Sequence, residues 1–337
     1  MKNIISNEDR KRVLIDTAFA YWRASGFPYP ELAPHDLWLG YYALEDKQLK
    51  ISSPQMVLFD ALKVTELEID STGINVANHF HPHIWESQAY KMKSPMQAYS
   101  NDKDLKKAIK LAIEMNFSLK PNSVLNMLRK VNGTQVCSNF RPAVAKTIYQ
   151  RYYRGKGAVL DPSMGYGGRL LGFIASGIPA QYVGVDPSKK TCDGNERLSS
   201  FFGGNTKLIN APFEDVDLSQ YPRFSFAFTS PPYFTKELYS DEETQSYKRY
   251  PEYHNWLKYF WEATIAKVYS VLERGSYFVI NIQDVTIGSR RYPLVADTIG
   301  LAEYHGYTLV ERLSMRFSSF GKNLKKVKAE SVLVFRR

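Results

Sequence analysis

Six residues, Thr229-Ser230-Pro231-Pro232-Tyr233-Phe234, directly follow the apolar run 224–228. Two consecutive prolines end a strand and stiffen the turn behind it, because neither can donate to a ladder and each has a fixed φ. Such a turn holds the Ser230 side chain and the Pro231 carbonyl in place, with the Tyr233 ring beside them. The set suits an aromatic amino group. Its nitrogen is a weak nucleophile because the lone pair is conjugated into the ring. Acceptors at fixed positions take its hydrogens and favour attack on a methyl group, while an aromatic side chain stacks on the base. No metal and no covalent enzyme nucleophile are needed. A plain strand-ending turn is the alternative meaning of the same residues.

Upstream, Asp161-Pro162-Ser163-Met164-Gly165-Tyr166-Gly167-Gly168 stands between a short apolar run and a helical pattern. Glycines at such a junction let backbone approach a ligand where a Cβ would collide. A phosphate-cradling loop needs Gly-Lys-Ser/Thr next, and Arg169-Leu170 does not supply it. A dinucleotide fingerprint counted from Gly165 and Gly167 needs glycine where Leu170 stands. The Asp161 carboxylate would repel a pyrophosphate. It suits a cofactor carrying positive charge, such as the amino and sulfonium groups of S-adenosylmethionine. Asp186, eighteen residues after Gly168, closes the next strand and is placed to accept both ribose hydroxyls of an adenosine-bearing cofactor. A third strand end, from Asn210 to Asp215, is placed to meet the adenine ring and its amino group. A glycine turn flanked by helix-capping acids is the structural alternative.

These residues need elements to hold them. From 158 onwards strand and helix alternate, with strands at 158–160, 182–185, 224–228 and 277–282 and two terminal strands near 308–310 and 331–335. Helical spacing marks 169–175, one long amphipathic stretch along 257–272, and 294–304. This order argues for an α/β protein with an open, mostly parallel sheet, in which ligands bind at the carboxyl ends of strands. Both motifs sit at such ends. The first hundred residues are rich in aromatics, proline and histidine with weak periodicity, which predicts short elements and long loops. Leu105, Ile109, Ala112 and Ile113 predict a helix over 104–115, and a second follows over 122–131.

Of the 337 residues 44% are hydrophobic and 23% charged, which excludes disordered and collagen-like architectures. No apolar run reaches the ~18 residues of a membrane span, so no membrane partner is expected. The start turns polar before a signal-peptide core can form. Cys137 and Cys192 make no disulfide framework, and a reducing cytoplasm is the expected setting. The net charge is +10. Before Asn139 stand 17 basic and 15 acidic residues, and from there on 27 and 19. The excess in the second part points to a polyanion partner, nucleic acid above all.

Residues 139–337 resemble the amino-group DNA methyltransferases that use S-adenosylmethionine. The resemblance rests on the Asp161 to Gly168 string, on Asp186, on Thr229 to Phe234, and on Asn139-Phe140-Arg141-Pro142 just ahead of the first strand. It implies a Rossmann-like methyltransferase fold with a mostly parallel seven-stranded sheet, S-adenosylmethionine as cofactor and DNA as partner. It further implies cofactor contacts from Asn139, Phe140, Arg141, Pro142, Asp161, Ser163, Gly165, Gly167, Asp186, Glu214 and Thr229, with catalysis at Ser230, Pro231, Pro232 and Tyr233. A Ser-Pro-Pro-Tyr core is most typical of cytosine-N4 members, while Asp-Pro-Pro-Tyr is commoner in adenine-N6 members. The loop departs from the family pattern in Ser163-Met164, where an aromatic often follows Asp-Pro, and in Tyr166, at a position that is usually small. A cytosine-C5 mechanism is disfavoured, since neither Cys137 nor Cys192 follows a proline.

Two basic segments are candidate DNA contacts, Lys248 with Arg249 after the catalytic turn, and Lys322, Lys325 and Lys326 near the end. His79, His81 and His83 alternate, but no cysteine stands nearby and the chemistry requires no metal, so no metal site is expected. The expected division is a catalytic domain over 136–337 and an N-terminal region over 1–135, mixed in structure and serving target recognition or partner binding. The leading function is a site-specific DNA methyltransferase acting on cytosine N4, as in restriction–modification systems. The alternatives are an adenine-N6 enzyme, an RNA or protein-amide methyltransferase, and a catalytically silent DNA-binding relative.

Overall fold

The computed structural model describes residues 6–56, 63–155, 157–316 and 329–337. Packing divides the chain into two units. One comprises Met1–Ala33, Pro82–Ser138 and Glu237–Tyr239; the other comprises Pro34–His81, Asn139–Lys236 and Ser240–Arg337. The division therefore has no single boundary near residue 135. Pro34–His81 packs with the later part of the chain, and Glu237–Tyr239 with the earlier.

The first unit is mainly helical, with helices Asn7–Ser25, Pro95–Ser100, Asp102–Glu114 and Pro121–Leu128. Ser6 caps the first by accepting from the Asp9 N–H at 3.1 Å. Its core joins Ala18 and Trp22 to Leu105, Ala108, Ile109 and Ala112, and to Val124, Met127 and Leu128. The two helices expected around 104–115 and 122–131 are present. The expectation of short elements in the first hundred residues is overturned by a 19-residue helix at Asn7–Ser25 and a 13-residue helix, Pro34–Asp46, in the second unit. Val13, Leu14 and Tyr21 stay exposed on one, and Trp38, Leu39 and Tyr42 on the other. Apolar residues on several faces blur the 3.6-residue period by which a helix is recognised.

The second unit is built on one nine-stranded sheet. In chain order its strands are β1 Gln55–Met56, β2 Lys63–Glu68, β3 Val159–Asp161, β4 Tyr182–Asp186, β5 Thr206–Asn210, β6 Phe224–Thr229, β7 Leu272–Ile282, β8 Thr308–Arg316 and β9 Ala329–Arg336. Their spatial order is β1-β2-β8-β9-β7-β6-β3-β4-β5. From β7 to β5 all neighbours are parallel. β9 runs antiparallel to both β7 and β8. Strands β3 to β9 are the seven expected. The other two extend the edge, β2 parallel to β8 and β1 antiparallel to β2. Two buried polar groups attach this early segment. Glu311 accepts from Thr65 Oγ1, from Tyr152 OH at 2.8 Å and from Arg151 Nη2 at 3.0 Å. Lys146 donates to the carbonyls of Leu44, Glu45 and Lys47, satisfying the end of the Pro34–Asp46 helix.

Strand β6 is buried along its whole length, which is why its phenylalanines are separated only by the small residues Ser225 and Ala227. From β3 the chain moves outward to β4 and β5, then returns to β6 on the other side of β3. The direction of winding thus reverses between β3 and β6, the place where open α/β sheets bind ligands. Pairing of Val159 with Phe226 and Leu160 with Ala227 sets the tips of these strands, Asp161 and Thr229, side by side.

The single helix expected along 257–272 is instead two helical segments that follow a short turn of helix and end at a strand. Tyr253–Asn255 leads into a π-helical stretch, Trp256–Glu262, and then the α-helix Ala263–Val271, while Leu272 already opens β7. Trp256 and Trp261 are both fully buried. Five residues apart, they fall on one side of a wider turn but not of an α-helix.

Candidate functional site

The tip of β3 is an ion pair. Asp161 is fully buried, and Arg169, 4% exposed, donates to it from Nε at 2.7 Å and from Nη2 at 3.2 Å. Tyr182 OH adds a third hydrogen bond at 2.7 Å and the Ser163 N–H a fourth at 3.2 Å. This corrects the expectation that Asp161 offers its charge to a cationic ligand. Its charge is matched inside the protein, and what it does is hold the loop. Arg169 also donates to the Ser163 carbonyl. Its guanidinium lies 5.9 Å from the Phe140 ring and 5.9 Å from the Phe228 ring, and these two rings meet edge to face at 5.3 Å.

The glycine loop is ordered by its own backbone groups. Gly165 N–H donates to Asp186 Oδ2 at 3.0 Å, and Ser188 N–H to Oδ1 at 3.0 Å. The Gly165 carbonyl accepts from Asn195 Nδ2 at 2.8 Å. Gly165 has φ +57° and Gly167 φ +75°, a region that favours glycine. A Cβ at Gly167 would meet His81 Cε1 at 2.7 Å, and one at Gly168 the Phe140 carbonyl oxygen at 1.9 Å. At Gly165 the nearest atom would be 3.9 Å away, so there the backbone borders open space.

The segment ahead of β3 packs against this loop. Asn139 Nδ2 donates to the Tyr166 carbonyl at 2.8 Å and to Asn78 Oδ1 at 2.9 Å. Arg141 faces Glu330, whose pKa burial raises and Arg141 opposes, and Pro142 begins the helix Pro142–Tyr152. The departures in the loop have a packing reason. Met164 lies over Gly184, where a Cβ would meet its sulfur at 2.7 Å, and Tyr166 is buried.

Burial pushes the Asp186 carboxyl up to about 6, although two backbone N–H groups favour its ionised form. Glu214 is also raised by burial, and Arg249 works against that shift.

At the tip of β6, Thr229 is fully buried, Ser230 half-buried and Tyr233 buried. Asn281 Nδ2 donates to Ser230 Oγ at 3.1 Å and to Tyr233 OH at 3.1 Å. Asn281 follows Ile280, which pairs with Thr229 across the β6–β7 ladder. Past Pro231 and Pro232, Phe234 has φ +54°, uncommon for a non-glycine residue, and its ring packs against Tyr253, Trp256 and Tyr292.

Asn281 and Arg169 were not among the residues singled out from sequence. The first had a visible signal, a lone asparagine in the apolar run 277–282. The second was weighed only as a phosphate-loop residue.

The basic candidates fare differently. Arg249 Nη1 binds Glu214 at 2.8 Å and Asp215 at 2.9 Å. Lys248 binds Glu243 at 2.9 Å and the Asp241 carbonyl at 2.6 Å. Both are paired with nearby oxygens. The same pairing sets Glu214 against Arg249. Lys322, Lys325 and Lys326 lie outside the described residues.

Both cysteines are buried and free, with thiols pushed up mainly by burial. Among the described residues no group of three or more His, Cys, Asp or Glu is arranged to hold a metal ion. Nor is any helix among them long and apolar enough to cross a membrane.

No curated protein matches the sequence. The family model described as DNA methylase matches residues 224–335, from the start of β6 into β9. The chain carries a DNA methylase domain. This segment is similar to the amino-group DNA methylases, a family that acts at N6 or N4 and depends on S-adenosylmethionine. The chain is also similar to several solved structures. One is a methyltransferase from Pyrococcus furiosus, 13% identical, covering 58% of this chain and 82% of that one at a TM-score of 0.39. Another is an O-methyltransferase from Thermotoga maritima, 11% identical, covering 60% and 67% at 0.40. A third is the glycopeptide N-methyltransferase MtfA with (S)-adenosyl-L-methionine, 13% identical, covering 58% and 86% at 0.40.

Proposed function

We propose that the methylase modifies the N4 amino group of cytosine in DNA. The observation that carries this reading is the pairing of β3 with β6, which sets the glycine loop and the Ser-Pro-Pro-Tyr turn at neighbouring strand tips where the sheet reverses its winding. Open space against the Gly165 backbone and an Asp186 carboxylate with lone pairs left for two hydroxyls fit S-adenosylmethionine. Gly165, Asp186 and the Asn139 to Pro142 segment would hold it, with Asp161, Ser163, Gly167 and Thr229 shaping the site and Glu214 beside the adenine. When bound, the cofactor supplies an electrophilic methyl on a cationic sulfur. Ser230 Oγ and the Pro231 carbonyl accept the hydrogens of the target amine, and Tyr233 stacks on the extruded base. A serine, rather than an aspartate, at the head of the turn supports cytosine over adenine. Target recognition is assigned to the N-terminal region and the setting to the cytoplasm, in keeping with two free cysteines.

Expression in a host free of DNA methylation, followed by sequencing that distinguishes modified bases, tests the reading. N4-methylcytosine in one fixed context is the expected result. N6-methyladenine would replace the base assignment, and unmodified DNA would overturn the function.

The raised pKa of Asp186 has a measurable consequence. The ionised carboxylate is the better acceptor for ribose hydroxyls, so protons compete with cofactor. Affinity for S-adenosylmethionine is expected to hold above pH 7 and to weaken as the pH falls through about 6, approaching about tenfold per pH unit below it. Titration calorimetry from pH 8 to 5 reads this slope. Asp186→Asn should bind weakly and without it; an equally steep slope in that variant would assign the effect elsewhere.

A further inference from the structure

We infer that Asn281 belongs to the substrate-binding set of the methylase: its amide nitrogen sets the positions of Ser230 and Tyr233, and its amide oxygen accepts a hydrogen bond from the target amino group. This rests on the assignment of Ser230 and Tyr233 to catalysis made above. Asn281 is 4% exposed and stands between Ile280 and Ile282 in the buried second half of its strand, 278–282, where every other side chain is apolar. A buried amide in such surroundings is costly unless its polar atoms are matched. The nitrogen is matched, with one N–H for each of the two hydroxyls at 3.1 Å. The oxygen is buried, and nothing among the described residues donates to it. Ladder pairing of Thr229 with Ile280 puts this amide beside Ser230, at the carboxyl ends of the strands. A donor is what the oxygen lacks, and an exocyclic amine brings two. As that nitrogen passes from planar to tetrahedral, its N–H directions swing. An acceptor additional to Ser230 and the Pro231 carbonyl holds them through the change, which is stabilisation gained in the transition state.

The test uses the full chain, labelled S-adenosylmethionine and genomic DNA from a host free of methylation, under single turnover. Asn281→Ala is expected to slow methyl transfer about 100-fold, with cofactor affinity by calorimetry unchanged. Asn281→Asp keeps the shape and an acceptor, which faces a nitrogen gaining positive charge. At S-adenosylmethionine concentrations saturating at every pH, so that Asp186 does not enter, its rate is expected to rise about tenfold above that of the alanine variant as the new carboxylate ionises, giving a pH limb the parent lacks. A merely structural asparagine would produce no such limb. An alanine variant as fast as the parent, or an aspartate variant without the limb, overturns the inference. Should alanine prevent folding, the isosteric aspartate decides the matter alone. Ser230→Ala, measured alongside, separates the two levels. If it too retains full rate, the catalytic reading falls; if it collapses while Asn281 variants do not, only the present inference falls.

Discussion

Ser230→Ala combined with Tyr233→Ala is expected to reduce methyl transfer by about 10³-fold or more, since each change removes a group set against the reacting amine. Cofactor affinity should stay within about threefold of the parent, less than 1 kcal/mol. The separation follows from topology. Ser230 and Tyr233 stand beyond β6 and hydrogen-bond to Asn281 on β7, whereas Gly165 and Asp186 stand beyond β3 and β4. Labelled-methyl transfer to DNA and calorimetry with S-adenosylmethionine measure the two properties independently. Retained transfer, or cofactor binding lost in step with activity, would mean that the turn serves the cofactor and not the base.

The second large effect concerns folding. Arg169→Met leaves Asp161 buried without its cation, and breaking a buried pair from one side costs about 3–5 kcal/mol. Arg169 further holds the Ser163 carbonyl, so the glycine loop should loosen and cofactor binding fall with stability. Adding Asp161→Asn removes the stranded charge; its one oxygen still accepts from the Ser163 N–H, and its NH2 faces the Tyr182 hydroxyl, which can accept from it. The double variant is therefore expected to be more stable than the single one. Urea unfolding of the parent, the single and the double variant gives the comparison. Equal losses in both would show that the pair acts through packing and not through charge.

The candidate site was legible wherever its chemistry lies in a continuous string. Thr229 to Phe234 and Asp161 to Gly168 carry strand end, turn and functional group within a few residues, so their local structure follows from proline, glycine and burial preferences. The helices Asn7–Ser25 and Pro34–Asp46 were not legible, because each exposes large apolar residues and has no single apolar stripe. Arg249 read as free charge because its carboxylates are not chain neighbours: it pairs with Glu214 and Asp215, far back along the chain.

By itself the amino-acid sequence determined the alternation of strand and helix, the two motifs and the chemistry they can perform, since all of these depend on neighbours along the chain. Only the tertiary structure decided that β3 and β6 are adjacent, that Asp161 is neutralised by Arg169, that Asn281 bridges Ser230 and Tyr233, and that β2 extends the sheet beside β8. Ladder register and burial join residues from eight to hundreds of positions apart, and local spacing carries no record of which groups they bring within hydrogen-bonding reach.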